Sequence, residues 1–285
     1  MGKIIDGRQI ALAINDKVRR GIQHIQDVSG RPPKLVSILL GTRSDAQIYV
    51  NMQKKSAAQV GIDFDSRVLE ESTTSEQLLD QIRRLNENNA VSAIIVQKPL
   101  PEGIQHDSIV ASMLAEKDAE GIHPLNLGKI LRKEADIVPC TPGAVMKILN
   151  MQGVDLYGKE VVIIGHSAIV GKPLSMMMLN EMATVTVCHI GTYEKGDIKA
   201  HARKADVLVV AVGKAQMVKS DWIKEGCAVI DVGINRTDKG IVGDVDFEDV
   251  KDKASFITPV PGGVGPVTVS ILMRNVFRAY RRQNS

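Results

Sequence analysis

Aromatic side chains are scarce in this sequence, since only 3% of its 285 residues are Phe, Trp or Tyr. Positive and negative charges nearly balance, with 36 Lys and Arg against 33 Asp and Glu and a formal net charge of +3. A protein surface that binds nucleic acid usually carries a basic patch and, for single strands, aromatic side chains that stack on the bases. The balanced charge and the scarcity of aromatics therefore argue against a nucleic-acid partner. The expected partners are small molecules or other protein subunits.

Cysteine is also sparse, because Cys140, Cys188 and Cys227 lie far apart and form no Cys-x-x-Cys pair. This pattern argues against a disulfide scaffold and a zinc site, and it suits a reducing compartment, so no metal is expected. No run of about eighteen apolar residues is present that could span a membrane. Residues 1–7 lack the hydrophobic region of a signal peptide, and the expected location is the cytoplasm.

What the sequence does contain is enough apolar material, 44% of its residues, for two α/β domains. Apolar runs alternate with helical patterns from end to end, which is typical of parallel sheets covered by helices. The first half predicts strands at 35–40, 64–69 and 93–97 and helices at 45–60 and 75–86. The second half predicts strands beginning near residues 161, 184, 207, 228 and 256, and a final amphipathic helix over 268–282.

Two stretches rich in proline and glycine interrupt this pattern. Residues 139–143 are the predicted hinge between the domains, with Pro142 in the first turn of a helix that runs to Met151. Residues 258–268 contain three glycines and three prolines, which predicts a rigid loop that is neither a helix nor a central strand. An ordinary cluster of turns is the alternative reading of this second stretch.

Residues 161–173 predict a phosphate-binding turn. Gly165 follows an apolar strand, and Pro173 lies just inside the next helix. Free N–H groups and the helix dipole at such a helix start favour an anion. The spacing Gly165-x-Ser167-x-x-x-Gly171 differs from the common G-x-G-x-x-G pattern, so a strand-to-helix turn without a ligand is the alternative.

The stretches 258–268 and 161–173 resemble the two signatures of the methylenetetrahydrofolate dehydrogenase/cyclohydrolase (FolD) family, and the resemblance extends from about Ile4 to Arg278. It implies a homodimeric, cytosolic enzyme of one-carbon metabolism. Such an enzyme oxidises 5,10-methylenetetrahydrofolate to 5,10-methenyltetrahydrofolate with a nicotinamide dinucleotide and then hydrolyses the product to 10-formyltetrahydrofolate.

The resemblance also implies a domain arrangement. An N-terminal α/β substrate domain would cover residues 1–140 and be joined by the C-terminal helix 268–285. A Rossmann-like dinucleotide-binding domain would cover residues 141–267, with a cleft between the two domains.

The resemblance implies which residues bind the cofactor. The end of the second strand of that domain carries no Asp or Glu, which favours NADP over NAD, although NAD stays possible. Ile190 offers a 2′-phosphate no charge there, so His166, His189 and Lys195 remain as its candidate ligands. The implied cofactor-binding residues are Thr141, Gly165, His166, Ser167, Gly171, Ile190 and Ile234.

The substrate domain departs from the family pattern. The family has Ser, Tyr and Lys on its first helix where this chain has Ala46, Tyr49 and Gln53. Lys54 follows Gln53, but one residue along a helix is about 100° around its axis. An amphipathic helix with a buried tyrosine is the alternative reading.

Two further departures follow in the same domain. Lys98 stands where the family has Leu in Val-Gln-Leu-Pro-Leu-Pro, and it could approach the substrate or extend into solvent. Glu120 stands where the family has Asp, and it keeps the carboxylate that would hold the guanidine-like edge of the pterin. The implied catalytic residues are Tyr49, Gln53, Gln97 and Glu120; the implied substrate contacts are Tyr49, Val96, Gln97, Lys98, Glu120, Pro261, Gly262 and Gly263.

These departures affect the two reactions unequally. Hydride transfer needs positioning, whereas hydrolysis needs activated water and proton movement. Glutamine forms hydrogen bonds but does not titrate near neutral pH. We therefore expect dehydrogenase activity to survive better than cyclohydrolase activity. The alternatives are a non-catalytic folate- or nucleotide-binding paralogue and a dehydrogenase adapted to another substrate.

Overall fold

The computed structural model describes residues 2–29, 31–42, 44–238 and 240–284. The strands are β1 Lys3–Ile4, β2 Lys34–Leu40, β3 Asp63–Leu69, β4 Ala93–Val96, β5 Glu160–Ile164, β6 Thr184–Cys188, β7 Val207–Val210, β8 Ala228–Asp231, β9 Asn235–Thr237, β10 Gly240–Val242 and β11 Phe256–Ile257. The helices are α1 Gly7–Ser29, α2 Ser44–Val60, α3 Ser75–Glu87, α4 His106–Ala111, α5 Pro124–Leu131, α6 Cys140–Met151, α7 Gly171–Leu179, α8 Ile190–Glu194, α9 Ile198–Ala202, α10 Phe247–Val250 and α11 Val264–Gln283. Within these ranges, no helix combines the length and apolar character that a membrane crossing requires.

The chain divides into two compact units. One comprises Met1–Ala11 and Thr141–Thr268, and the other comprises Leu12–Cys140 and Val269–Ser285. The sequence-based boundary had placed the first eleven residues with the substrate domain. They belong instead to the unit of Thr141–Thr268, because β1 pairs with β11 in parallel, Lys3 opposite Phe256.

The unit of Thr141–Thr268 contains a six-stranded parallel sheet in the order β1-β11-β8-β7-β5-β6. The central strands β7 and β8 are buried along their whole length, as expected when helices cover both faces of a parallel sheet. The chain passes from β5 outward to β6 and then returns to the other side of β5 to form β7. This reversal makes the carboxyl ends of β5 and β7 the switch point where such sheets bind ligands.

The other unit contains a three-stranded parallel sheet in the order β3-β2-β4. Its core includes Val36 and Ile38 of β2 packed with Leu78 and Ile82 of α3. Helix α3 begins at a capping box in which Thr74 and Gln77 exchange hydrogen bonds. Thr74 is therefore the residue that caps the start of this helix.

The stretch 258–268 is only partly a loop, which corrects the sequence-based prediction. Residues 258–263 are irregular, with φ of 108° at Gly262, but α11 begins at Val264 and contains Pro266. Proline fits there because the N–H groups of the first helical turn have no partner within the helix. The final helix thus starts four residues before the predicted Thr268.

Candidate functional site

The turn after β5 is shaped by two glycines that touch. Gly165 has φ of 125°, and a Cβ there would lie 2.3 Å from the Ala211 carbonyl oxygen. A Cβ on Gly171, the first residue of α7, would lie 2.0 Å from the Gly165 carbonyl oxygen. The Ser167 hydroxyl accepts the Val170 N–H at 3.1 Å and closes the turn. This tight turn brings the start of α7 to the switch point of the sheet.

The same turn fits the pyrophosphate of a dinucleotide. Val170 precedes α7 and has no polar side chain with which to cap it. Backbone N–H groups at an uncapped helix start bind phosphate well, and the helix dipole favours the negative charge. His166 and Ser167 are exposed beside these groups. Gly165, His166, Ser167 and Gly171 therefore form one continuous candidate site.

Two histidines lie together at the end of β6. The His189 Nδ1 accepts the Gly191 N–H at 3.1 Å, so its Nε2 carries the ring proton when the imidazole is neutral. The rings of His166 and His189 have their centroids 5.3 Å apart. Ile190, at the start of α8, is 57% exposed and adds no polar group. The structure thus brings His166, His189 and Ile190 together at the carboxyl ends of β5 and β6. The imidazole N–H groups there are suited to donate hydrogen bonds to a ribose phosphate.

Ile234 follows a buried junction made by two aspartates. Asp231 accepts the N–H groups of Gly233, Asp244 and Val245 at 2.9, 3.0 and 2.9 Å. Burial raises the pKa of Asp231 to about 7. Asp244 accepts the N–H of Val212 at 2.7 Å. These bonds fix the strand end from which Ile234 projects, and Ile234 itself is 67% exposed.

Thr141, the remaining predicted cofactor contact, lies in the first turn of α6 and is partly buried.

The substrate candidates of the other unit meet in a chain of buried amides. The Gln97 Nε2 donates to the Gln53 Oε1 and to the Ser37 hydroxyl, both at 2.9 Å. Gln53 is fully buried, and among the described residues its Nε2 has no hydrogen-bond partner. A buried unsatisfied donor costs about 1–3 kcal/mol, which a ligand acceptor would offset.

Glu120 is positioned by the segment before it. The Ile94 N–H donates to the Lys117 carbonyl at 2.7 Å, and the Ala119 N–H donates to the Ile94 carbonyl at 3.2 Å. The buried Asp118 accepts the Glu120 and Gly121 N–H groups at 3.1 and 2.9 Å. Glu120 as a whole residue is partly exposed, although its carboxyl group lies in buried surroundings. Burial, with Asp118 adding to it, raises the pKa of Glu120 to about 8, against the effect of Lys98.

Tyr49 belongs to the same cluster. Burial raises the pKa of the Tyr49 hydroxyl above its ordinary value, and the charges of Cys140 and Glu120 raise it further. The hydroxyl is therefore neutral and can donate or accept a hydrogen bond. Ala46, three residues earlier on α2, is buried, whereas Lys54 is exposed.

Not every predicted substrate residue joins this cluster. Val96 is buried at the end of β4, and Lys98 is exposed just after it. Pro261, Gly262 and Gly263 belong to the other unit, where the Gly7 N–H donates to the Gly262 carbonyl at 3.0 Å. No site that would hold a metal is formed by three or more His, Cys, Asp or Glu in the described part of the chain.

Sequence reasoning missed three residues that support the cluster. The Asn275 Nδ2 donates to the carbonyls of Ala119 and Val138 at 3.0 and 2.9 Å, which braces the segment before Glu120. The Cys140 thiol lies 3.7 Å from the Glu120 carbonyl oxygen. A polar residue inside an apolar strand was the available signal for Ser37, but nothing local marked Asn275 or Cys140.

A parallel sheet with a glycine turn at its switch point defines a dinucleotide-binding unit, and the amide–carboxylate cluster defines a polar site in a second α/β unit. Two family models match the chain: the NAD(P)-binding domain of tetrahydrofolate dehydrogenase/cyclohydrolase over residues 139–284, and its catalytic domain over residues 5–120. The chain therefore belongs to the tetrahydrofolate dehydrogenase/cyclohydrolase family. The predicted family and the two-domain α/β class are confirmed.

Similar proteins extend over nearly the whole chain. The bifunctional protein FolD of Bacillus pumilus is 46% identical over 280 residues, 98% of each chain. The crystal structure of FolD from Campylobacter jejuni is 41% identical, with a TM-score of 0.95 over 99% of each chain. The FolD of Trypanosoma brucei, complexed with NADP cofactor and inhibitor, is 40% identical, with a TM-score of 0.93 over 99% of this chain and 98% of its own.

Proposed function

We propose that this chain oxidises 5,10-methylenetetrahydrofolate to 5,10-methenyltetrahydrofolate with NADP, and that its hydrolysis of the methenyl product is weak. Membership in the tetrahydrofolate dehydrogenase/cyclohydrolase family supports the oxidation. Weak hydrolysis is supported by Gln53, which stands at the position of the family's lysine. Gln53 is fully buried and hydrogen-bonded to Gln97.

The dinucleotide, when bound, accepts the hydride from the substrate's one-carbon unit. The turn from Gly165 to Gly171 fits its pyrophosphate, and the ends of β6 and β8 present His189 and Ile234. The protein's own contribution to this step is positioning, since the substrate nitrogens stabilise the developing cation. Glu120, when ionised, would hold the guanidine-like edge of the pterin.

Hydrolysis places a different demand on the same cluster. Water must lose a proton as it adds to the methenyl carbon, so a titratable group must lie within hydrogen-bond reach. Gln53 and Gln97 accept and donate hydrogen bonds but do not exchange protons near neutral pH. The raised pKa of Tyr49 keeps its proton in place. The amide pair would thus orient the ring system without activating water.

A spectrophotometric assay tests both parts. Wild-type protein should reduce NADP with methylenetetrahydrofolate and release methenyltetrahydrofolate that persists well beyond one turnover. The Glu120→Gln variant should lose oxidation while still binding NADP in calorimetry. Absence of folate-dependent reduction by wild type would reject the oxidation, whereas rapid disappearance of the methenyl product would reject only the weak hydrolysis.

The same assay separates the two other hypotheses. A non-catalytic paralogue would bind NADP or folate without turnover. A dehydrogenase adapted to another substrate would transfer hydride only when folate is replaced, and Lys98 and Ala46 would then be its specificity changes.

We also propose a cytosolic homodimer. Tyr157, Leu179 and Met182 are exposed apolar side chains of the dinucleotide-binding unit. The Gly158 N–H donates to the Met182 carbonyl at 2.9 Å, so the backbone beside Tyr157 lies close to that of Met182. We infer that these exposed apolar residues form part of a subunit interface, since large apolar patches on a protein surface mark such interfaces. Sedimentation equilibrium should give twice the chain mass, and Leu179→Glu with Met182→Glu should give one chain mass.

A further inference from the structure

A buried carboxylate joins the two loops that follow β7 and β8. The Asp244 side chain is fully buried, and its Oδ2 accepts the N–H groups of Val212 and Gly213, in the loop after β7, at 2.7 and 3.0 Å. Its Oδ1 accepts the side-chain amide of Asn235 at 2.8 Å. Asn235 begins β9, directly after the loop that follows β8. One side chain therefore ties the exit of β7 to the exit of β8.

The backbone of Asp244 is held in place as well as its side chain. Its N–H donates to the Asp231 Oδ1 at 3.0 Å, and its carbonyl accepts the Val218 N–H at 3.0 Å. A Cβ on Gly233, in the loop after β8, would lie 2.2 Å from the Asp244 carboxyl carbon. The backbone of this loop therefore packs directly against the carboxyl group, so the position of Asp244 sets the position of the loop.

The two joined loops lie on one side of the proposed dinucleotide site. The sheet order places the glycine turn after β5 in the middle, the ends of β7 and β8 on one side and the end of β6 on the other. In such a sheet the pyrophosphate lies at the glycine turn, and the end of the next strand along the chain holds the adenosine ribose. The nicotinamide half is therefore expected over the ends of β7 and β8, where Gly213 and Ile234 are exposed.

We propose that Asp244 is a positioning residue for the nicotinamide half of the dinucleotide, because it joins the loops after β7 and β8 in the arrangement that this half requires. The inference rests on the proposed function, since it concerns the same cofactor site. Asp244 is fully buried, so it acts through the backbone of the two loops and not by contact with the cofactor. The adenosine half, at the end of β6, does not depend on it.

Calorimetry with two ligands tests this role. NADP carries both halves of the dinucleotide, whereas 2′,5′-ADP carries the adenosine half with its 2′-phosphate and lacks nicotinamide. In Asp244→Asn an amide NH₂ replaces one acceptor oxygen, so either the Asn235 amide or the N–H groups after β7 lose their acceptor. The dissociation constant of NADP should rise about tenfold, and that of 2′,5′-ADP should not change. If Asp244→Asn does not fold, Asn235→Ala removes only the tie to the loop after β8 and should show the same selective loss.

A rescue variant separates positioning from general destabilisation. Asp244→Asn combined with Asn235→Asp exchanges donor and acceptor across the same contact, so the affinity for NADP should recover. Asp249→Asn is the matched control, since this exposed aspartate of the same unit accepts the Ser220 N–H at 2.7 Å outside the two loops. It should leave the affinities for both ligands unchanged.

The two ligands also distinguish a failure of this inference from a failure of the proposed function. Equal changes in affinity for NADP and 2′,5′-ADP in Asp244→Asn would overturn the inference, and so would an exchanged pair that does not recover NADP binding. A wild-type protein that binds neither ligand would overturn the proposed use of NADP instead.

Discussion

The side-chain amide of Gln97 donates to the side-chain oxygen of Gln53 at 2.9 Å, joining the end of β4 to the middle of α2. Gln97 also donates to the Ser37 hydroxyl at 2.9 Å, so both hydrogens of its Nε2 have acceptors. Gln53 is fully buried, and its oxygen is the acceptor in this bond. A lysine at position 53 has no acceptor, so it would require Gln97 to turn its own oxygen toward the ammonium.

Gln53→Lys should raise the rate of methenyltetrahydrofolate hydrolysis. General acid–base groups typically contribute about 10²- to 10⁴-fold, so even partial recovery is measurable. Adding Ala46→Ser, on the same face of α2, should increase the rate further. Lys54→Gln is the control, since this exposed side chain lies elsewhere on the helix. If Lys54→Gln alone abolished hydrolysis already present in wild type, the weak-hydrolysis proposal would be wrong.

Gly165→Ala should weaken NADP binding at least tenfold and lower the melting temperature. The new Cβ would lie 2.3 Å from the Ala211 carbonyl oxygen, and φ of 125° is strained for alanine. The loss would therefore come from distortion of the turn itself. Gly158→Ala also has positive φ, 67°, but no atom lies within 4 Å of its Cβ, so it should strain the backbone and leave NADP binding intact. Calorimetry with NADP checks both, and equal losses in the two variants would contradict the argument.

Ile190→Arg should increase the preference for NADP over NAD. Ile190 is 57% exposed at the start of α8, just after β6, so an arginine there can reach a 2′-phosphate without repacking. A charge-assisted hydrogen bond adds about 1.5–3 kcal/mol, which corresponds to about tenfold or more in relative affinity. Ile190→Ala should leave the ratio of the two dissociation constants near that of wild type. If Ile190→Arg leaves the ratio of the NAD and NADP dissociation constants unchanged, the 2′-phosphate does not bind near residue 190.

Glu120→Gln should stabilise the protein at high pH and not at low pH. The pKa of Glu120 is about 8 in the folded protein, above its ordinary 4.5, chiefly because of burial. The protonated carboxyl therefore contributes to the stability of the folded protein. This contribution is fully present below pH 4.5 and is lost as pH rises through about 8. The neutral variant escapes this loss, so its melting temperature should exceed that of wild type by about 2 °C or more at pH 9.

The control for this prediction is Glu87→Gln, which changes an exposed glutamate at the end of α3. Its melting temperature should differ from that of wild type by the same small amount at pH 5 and pH 9. A Glu120→Gln difference that is equally constant across pH would show that Glu120 titrates normally.

Much of the fold could be read from the sequence because its signals are local. Strand β2 was predicted at 35–40 and is Lys34–Leu40, and the helix predicted at 75–86 is Ser75–Glu87. Apolar periodicity and capping residues act over a few positions, so they need no knowledge of distant contacts. One exception was α11, where proline and glycine in the first turn disguised the helix start at Val264.

The sequence by itself determined the family, the α/β class, the glycine turn at Gly165 and the departures at positions 46, 53, 98 and 120. Tertiary structure alone decided that Gln53 bonds to Gln97, that Asn275 braces the segment before Glu120, and that β1 belongs to the dinucleotide-binding unit. It also decided the charge state of Glu120, because desolvation and the fields of Asp118 and Lys98 depend on distance in space. Residue type and local spacing carry no information about such distances until the chain has folded.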